Sequence, residues 1–286
     1  MANEKRNTAV GTLESEIYTH KTLYFLREPA IRAAIQKLSL PAGSCGLDAG
    51  CGIGLITQLL SEAIAPAGHV TGLDLSRQFL KYAKDNTPDF LLHKHISFQK
   101  GDVNSLPFDS DTFDWVWSTD TMWPGSREMG CPSEDPFSMV KELARVVKPG
   151  GSVAILFWSS QRLLPGFPYL EASLNTTSQA TAPFRKQMKP EQHALRGLTW
   201  LRDTGLVELA ADTFVRDVFA PLNDTIRNAL TITFQMFWGD VDQEVSRDDW
   251  AEFKRLCQPE SPDFILNHPD YYAFFTYTLF HGKVTE

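Results

Sequence analysis

The 286-residue chain predicts an α/β protein built on a mainly parallel sheet. Three observations carry that expectation. Short apolar runs alternate with amphipathic helical runs between about residues 45 and 160, turn and cap residues punctuate the boundaries, and a glycine-rich turn lies at the first strand-to-helix junction.

The elements follow in order. Residues 1–15 read as a polar leader. From Glu16 to Leu38 the apolar positions Leu23, Leu26, Ile31, Ile35 and Leu38 recur at helical spacing, and Pro29 is expected to divide two helices. Next come a strand Cys45–Ala49, a helix Ile53–Ala63, a strand His69–Leu73 and a helix Arg77–Asp85. Strands Ile96–Gln99 and Phe113–Ser118 precede a helix Pro136–Val147 and a strand Ser152–Trp158. Asp135-Pro136 suits an N-cap followed by proline at the first helical position. Lys148-Pro149-Gly150-Gly151 is read as the stop of that helix and the turn into the next strand.

Residues 161–189 show no clear period. A helix near Pro190–Thr204, a strand Leu206–Val218, helices Asn223–Trp238 and Asp248–Cys257, and a last strand Tyr272–Val284 complete the reading. The domain organisation expected is N-terminal leader and helices over 1–39, then one domain over 40–286. Substrate-covering insertions are expected at about 161–204 and 221–268.

Composition bounds the function. The 27 basic and 35 acidic residues give a net charge of −8, which disfavours a broad nucleic-acid or anionic-membrane surface. The four cysteines form no C-x-x-C pair and have no histidine at metal spacing, so no metal and no disulfides are expected. The N-terminus lacks the apolar stretch of a signal peptide, and no apolar run is long enough to span a bilayer. A cytoplasmic location is the resulting expectation.

The chemistry concentrates at Gly46-Leu47-Asp48-Ala49-Gly50-Cys51-Gly52-Ile53-Gly54. Glycines permit a tight turn and close approach of a ligand, and the helix that follows presents free N–H groups to a negatively charged group. A dinucleotide fingerprint counted from Gly50 would need its last glycine at Leu55, whereas the glycines run G-x-G-x-G. Asp74 ends the next strand, placed to accept hydrogen bonds from ribose hydroxyls. Asp102 follows the third, where it could receive an amino group. Open α/β sheets bind ligands at the carboxyl ends of their strands, so the three signals converge on one crevice.

Leu47–Gly54 resembles the first motif of class I S-adenosylmethionine methyltransferases. Gly72-Leu73-Asp74-Leu75-Ser76 is similar to their ribose-binding strand end, Gly101–Phe108 with Phe113–Val116 to their adenine loop and fourth strand, and Arg145–Gly151 to the turn before their fifth. The closest flavour is the small-molecule branch that includes quinone-biosynthesis enzymes. The resemblance covers about residues 40–160 and implies a Rossmann-like methyltransferase fold, with a mainly parallel seven-stranded sheet, flanking helices and a helical lid. It implies S-adenosylmethionine as cofactor and S-adenosylhomocysteine as product. By it, Asp48 places the first loop or reaches the methionine amino group, and Gly50, Gly52 and Gly54 admit the methionine end. Asp74 holds the ribose, Leu75 packs on adenine, Asp102 and Val103 read its edge, and Ser118 faces the methionine portion.

Ser118–Pro124 follows the fourth strand, where an acceptor would meet the methyl donor. Asp120 reads either as a base or binder of a cationic acceptor, or as a loop cap. Trp123, Trp158 and Phe237 read as substrate-lining rings or as the insertion's own core. The expected partner is a small apolar or aromatic methyl acceptor, with neither nucleic acid nor a membrane span. The alternatives are a non-catalytic binder of the cofactor and a nicotinamide-dependent oxidoreductase on a related fold.

Overall fold

The computed structural model describes residues 12–122, 135–181 and 189–286. Within them the β-α alternation closes into a seven-stranded sheet of order β3-β2-β1-β4-β5-β7-β6. The strands are β1 (Cys45–Ala49), β2 (His69–Asp74), β3 (Ile96–Lys100), β4 (Phe113–Thr119), β5 (Val147–Arg162), β6 (Val207–Phe219) and β7 (Tyr272–Lys283). The first five pair in parallel, while β7 runs antiparallel to both β5 and β6. The last strand was thus legible from the sequence.

Helices cover both faces, as parallel strands require. On one side α1 (Leu13–Leu38), α2 (Leu55–Ala63), α8 (Asp224–Trp238) and α9 (Arg247–Cys257) bury Leu26, Ile31, Leu60, Phe234 and Phe253 against Trp115, Trp117 and Leu156 of the sheet. On the other, α5 (Pro136–Arg145) and α7 (Gly197–Asp203) pack Met139, Leu143 and Trp200 against Leu47, Val116, Ile155 and Phe157. The period-2 pattern of β5 therefore serves both cores, with Ala154 and Leu156 on one face and Val153, Ile155 and Phe157 on the other. Gly46 has a packing reason: a Cβ there would stand 2.1 Å from the Trp115 indole. A smaller cluster joins α3 (Arg77–Asp85) to β3 through Leu80, Ala83 and Phe98.

Several expectations need correction. Pro29 does not divide two helices; α1 runs through it unbroken. The lost hydrogen bond is outweighed by one buried face, with Leu23, Leu26, Ala30, Ile31, Ala34 and Ile35 covered on both sides of the proline. Lys148–Gly151 is not a turn between helix and strand. The helix ends at Arg145, β5 begins at Val147, and the Pro-Gly-Gly segment is absorbed as a register shift opposite Phe113 and Trp115. The helix expected near Pro190–Thr204 is two single turns (190–192 and 194–196) followed by α7. The short α4 (Asp89–Leu92) and α6 (Pro168–Leu174) were not read from the sequence. α1 starts three residues earlier than expected and β5 runs four residues further; the remaining boundaries fall within two residues of expectation.

Among the described residues no helix is long and apolar enough to cross a membrane, and no group of histidine, cysteine and carboxylate side chains gathers at metal-binding distance. Cys45, Cys51 and Cys257 are free thiols.

Candidate active site

A cavity of about 1150 Å³ opens at the carboxyl ends of β1, β2, β4 and β5. It exceeds the roughly 300–1,000 Å³ that accommodates one drug-sized molecule. One end is polar backbone and carboxylate; the other is aromatic.

At the polar end, Gly50 (φ +86) and Gly52 (φ +52) adopt left-handed backbone that other residues rarely reach. Their roles differ. A Cβ on Gly50 would overlap Thr121 at 2.1 Å, whereas nothing lies within 4 Å of the place a Cβ on Gly52 would occupy. Gly52 thus leaves a bare stretch of backbone facing the cavity. Asp74 stiffens that stretch: one carboxylate oxygen accepts the Gly52 N–H at 2.9 Å and the other the Ser76 N–H at 2.8 Å. Ile53, Leu55 and Ile56, at the start of α2, complete this wall. The first N–H groups of a helix have no partner inside it and favour an anionic group.

Asp102 and Val103 form the next stretch of wall. Asp102 accepts from the Asn104 backbone N–H at 2.9 Å and from its side-chain amide at 2.7 Å. From behind, α5 anchors this loop: Glu142 accepts the Leu106 N–H, and Arg145 donates to the Leu106 and Phe108 carbonyls. Leu75 lines the cavity with 63% of its surface exposed, a large apolar side chain left uncovered by the protein.

The structure does not bring every expected residue to the cavity. Asp48 is sealed at 1% exposure, accepts from the Thr57 hydroxyl at 2.7 Å and is absent from the lining. Burial pushes its carboxyl up to about 7, against the Thr57 hydrogen bond and with help from the nearby Asp74 charge. Ser118 is fully buried and donates to the Ala49 carbonyl, tying β4 to β1. Gly54 caps α2 beneath Ala83 and Phe98, away from the cavity. Trp123 lies outside the described residues. Burial holds the Cys51 thiol well above its ordinary pKa, so it stays protonated.

The aromatic end is built on β5 and α8. Trp158 stacks on Phe275 at 4.2 Å and meets the edges of Phe237 and Tyr277. Its indole N–H donates to Gln161, whose amide reaches Asn175, which also accepts from Trp238. Trp158 and Phe237 line the cavity, joined by Met236, Gln161 and Ile31.

Between the two ends stands Asp120, in a left-handed conformation (φ +48) just past β4. One oxygen accepts the Trp158 backbone N–H at 2.9 Å and the other the Tyr277 hydroxyl at 2.6 Å. Arg27 approaches to 3.7 Å. Both oxygens are therefore engaged, and the carboxylate ties β4, β5 and β7 together at the cavity. Burial raises the Tyr277 phenol well above its usual range and keeps it a donor.

Sequence reasoning passed over His20 and Arg27, which line the cavity together with Tyr24 from one face of α1. Their spacing of four and three residues was a readable signal, hidden because the apolar face of the same helix carried the pattern. Burial and the Arg27 charge lower the His20 pKa, which favours a neutral ring at pH 7. Tyr24 is pushed up to about 12 by burial and by the Glu28 charge. Tyr277 carried no sequence signal, since only the antiparallel register of β7 brings it beside Trp158.

Comparison with known proteins agrees with this geometry. Residues 47–155 match the family described as "Methyltransferase domain". A demethylmenaquinone methyltransferase of Anoxybacillus flavithermus is 35% identical over 152 residues, 53% of this chain and 60% of that protein. The chain spans about half the length of the curated relatives it matches. In three dimensions it is similar, with TM-score 0.57 and 19% identity, to a chain of the Haloferax volcanii complex between the Trm112 methyltransferase activator and a methyltransferase, covering 96% of each. It also resembles a Haemonchus contortus phosphoethanolamine N-methyltransferase 2 solved with phosphomonomethylethanolamine and S-adenosylhomocysteine. That likeness has TM-score 0.52 and 16% identity, and covers 96% of this chain and 58% of the other.

Proposed function

We propose that this chain, whose residues 47–155 match a methyltransferase domain, methylates a small apolar or aromatic acceptor by in-line attack on the sulfonium methyl of S-adenosylmethionine. The observation that carries the reading is the continuity of one cavity from the glycine loop to the aromatic wall. Methyl donor and acceptor must share one space for in-line transfer.

The residues present fit the cofactor. The uncovered backbone at Gly52 and the start of α2 offer a seat for the methionine end, which carries a carboxylate. Asp74 and Asp102 offer carboxylate acceptors for ribose hydroxyls and the adenine amino group, with Leu75 and Val103 as apolar contacts for the base. When bound, the cofactor supplies a methyl group already activated by the positive sulfur. The protein's share is position: the 101–108 loop is braced by Glu142 and Arg145, and the 119–121 turn is fixed over Gly50 by Thr121. At the other end, Trp158 and Phe237 give an apolar surface for a ring, consistent with relatives named for a quinone-type acceptor. Asp120 braces the junction of the two ends by accepting the Trp158 N–H and the Tyr277 hydroxyl.

Calorimetric titration with S-adenosylmethionine, S-adenosylhomocysteine and a nicotinamide dinucleotide tests the reading. Micromolar binding of the two adenosyl sulfur compounds without the dinucleotide is expected, and the Asp74→Ala variant should bind S-adenosylhomocysteine at least about tenfold more weakly. Preference for the dinucleotide would overturn it.

A further inference from the structure

Three buried side-chain nitrogens among the described residues find no hydrogen-bond partner, and Arg27 Nε is the one whose residue lines the cavity. The rest of that guanidinium is only loosely paired. Its closest carboxylate oxygen, on Asp120, is 3.7 Å away, beyond the roughly 2.7–3.2 Å of a hydrogen bond. That oxygen is already committed to the Tyr277 hydroxyl, and its twin to the Trp158 N–H. The guanidinium carbon lies 5.6 Å from the Trp158 ring centre, so the cation stands beside the aromatic wall. Its side chain keeps only 20% of its surface exposed.

A guanidinium carries five N–H donors in a fixed plane. Leaving one buried and unmet costs about 1–3 kcal/mol, and a partly desolvated cation without a close counter-ion costs more. Within the protein the Asp120 carboxylate at 3.7 Å and the Trp158 ring offset only part of that cost. Nε itself is closed to solvent, whereas the terminal nitrogens of the same guanidinium carry the exposed part of the group, and an anionic oxygen arriving in the cavity would meet those.

We propose that Arg27 recognises the acceptor through an acidic oxygen, so that the molecule methylated carries a phenolate, enolate or carboxylate on or beside its aromatic ring. This rests on the methyl-transfer reading for the word acceptor, while the anion site itself rests on Arg27 alone. The planar fork suits a carboxylate or a pair of ring oxygens, and the neighbouring rings take the apolar body of the same molecule. A hydroxyl held against the guanidinium ionises more readily, because an opposite charge favours the charged form. The site then needs no separate base, in keeping with Tyr277 being locked as a donor.

Matched probes test this on the full chain: 2-naphthoate and 2-naphthamide, titrated with and without saturating S-adenosylhomocysteine, against wild type, Arg27→Gln and Arg27→Lys. The carboxylate is expected to bind wild type roughly tenfold or more tighter than the amide, since hydrogen bonds to a charged group contribute about 1.5–3 kcal/mol. Arg27→Gln should erase the preference with S-adenosylhomocysteine affinity unchanged, and Arg27→Lys should retain part of it. Equal binding of the two probes to wild type, or a preference that survives in Arg27→Gln, overturns the assignment. Should Arg27→Gln fail to fold, the wild-type ratio and Arg27→Lys still decide. Failure of S-adenosylhomocysteine to bind, with the naphthoate preference intact, would instead sink the methyl-transfer reading and leave the anion site standing.

Discussion

Gly50 and Gly52 share a left-handed backbone but face different surroundings, and single methyl groups should separate their duties. Gly50→Ala drives a Cβ into Thr121 as well as straining the backbone. Gly52→Ala meets open space, so its cost is confined to the conformational strain of about 1–2 kcal/mol. The expected outcome is a larger drop in melting temperature for Gly50→Ala. Gly52→Ala should stay folded yet lose S-adenosylhomocysteine binding, because its methyl occupies the space a ligand would use. Retained binding in folded Gly52→Ala would show that the ligand keeps clear of that backbone. Asp48 offers a pH test at the same scale. Its folded pKa, about 7, lies above the unfolded value near 3.9, so between those limits the folded state holds more protons than the unfolded one. Stability therefore falls as pH rises through that window and levels off above it. Asp48→Asn removes the titration, and its advantage over wild type should grow from pH 5 to pH 8 by up to about 3 kcal/mol. Urea midpoints at the two pH values check it, and a constant gap would refute it.

At the scale of elements, α1 is the least expected part of the molecule. It carries core residues and cavity residues on neighbouring faces, and it does so across Pro29. His20, Tyr24 and Arg27 precede the proline; Ile31 follows it. A proline inside a helix removes the bond to the carbonyl four residues back and crowds it, which bends the axis. Pro29→Ala should raise stability by about 1–3 kcal/mol while weakening naphthoate binding, because the segment bearing Arg27 swings. Melting curves and calorimetry report the two effects, and unchanged affinity would mean that packing on α8, not the proline, aims the segment. The other elements were legible where each carried its own period and caps, as with α3, whose bounds Arg77–Asp85 were read as found. They were obscure where a tertiary partner decided. Val147–Gly151 is strand because β4 and β7 pair with its strand, not because Pro-Gly-Gly favours one.

For the whole molecule, the cofactor half of the candidate site was readable because its parts are short, contiguous and written in glycine and aspartate at strand ends. Even so, Asp48, Gly54 and Ser118 lie outside the cavity lining, a distinction that depends on which way a residue faces and not on spacing. The acceptor half was not readable in the same way. Its wall is assembled from α1, β5, α8 and, behind them, β7, segments separated by up to about 250 residues of chain. No local pattern announces such a gathering.

The length of β5 joins those two halves. Its first part, up to Leu156, lies beside β4 in the parallel sheet, and its continuation through Trp158 to Arg162 pairs only with β7 and walls the acceptor end. The match to the methyltransferase-domain family ends at residue 155, near the point where the strand leaves β4. One continuous strand thus runs from the matched segment into a stretch that the match does not cover. A change beyond that point would therefore reshape the aromatic wall through a segment that pairs with β7 alone, without touching the part of β5 that pairs with β4.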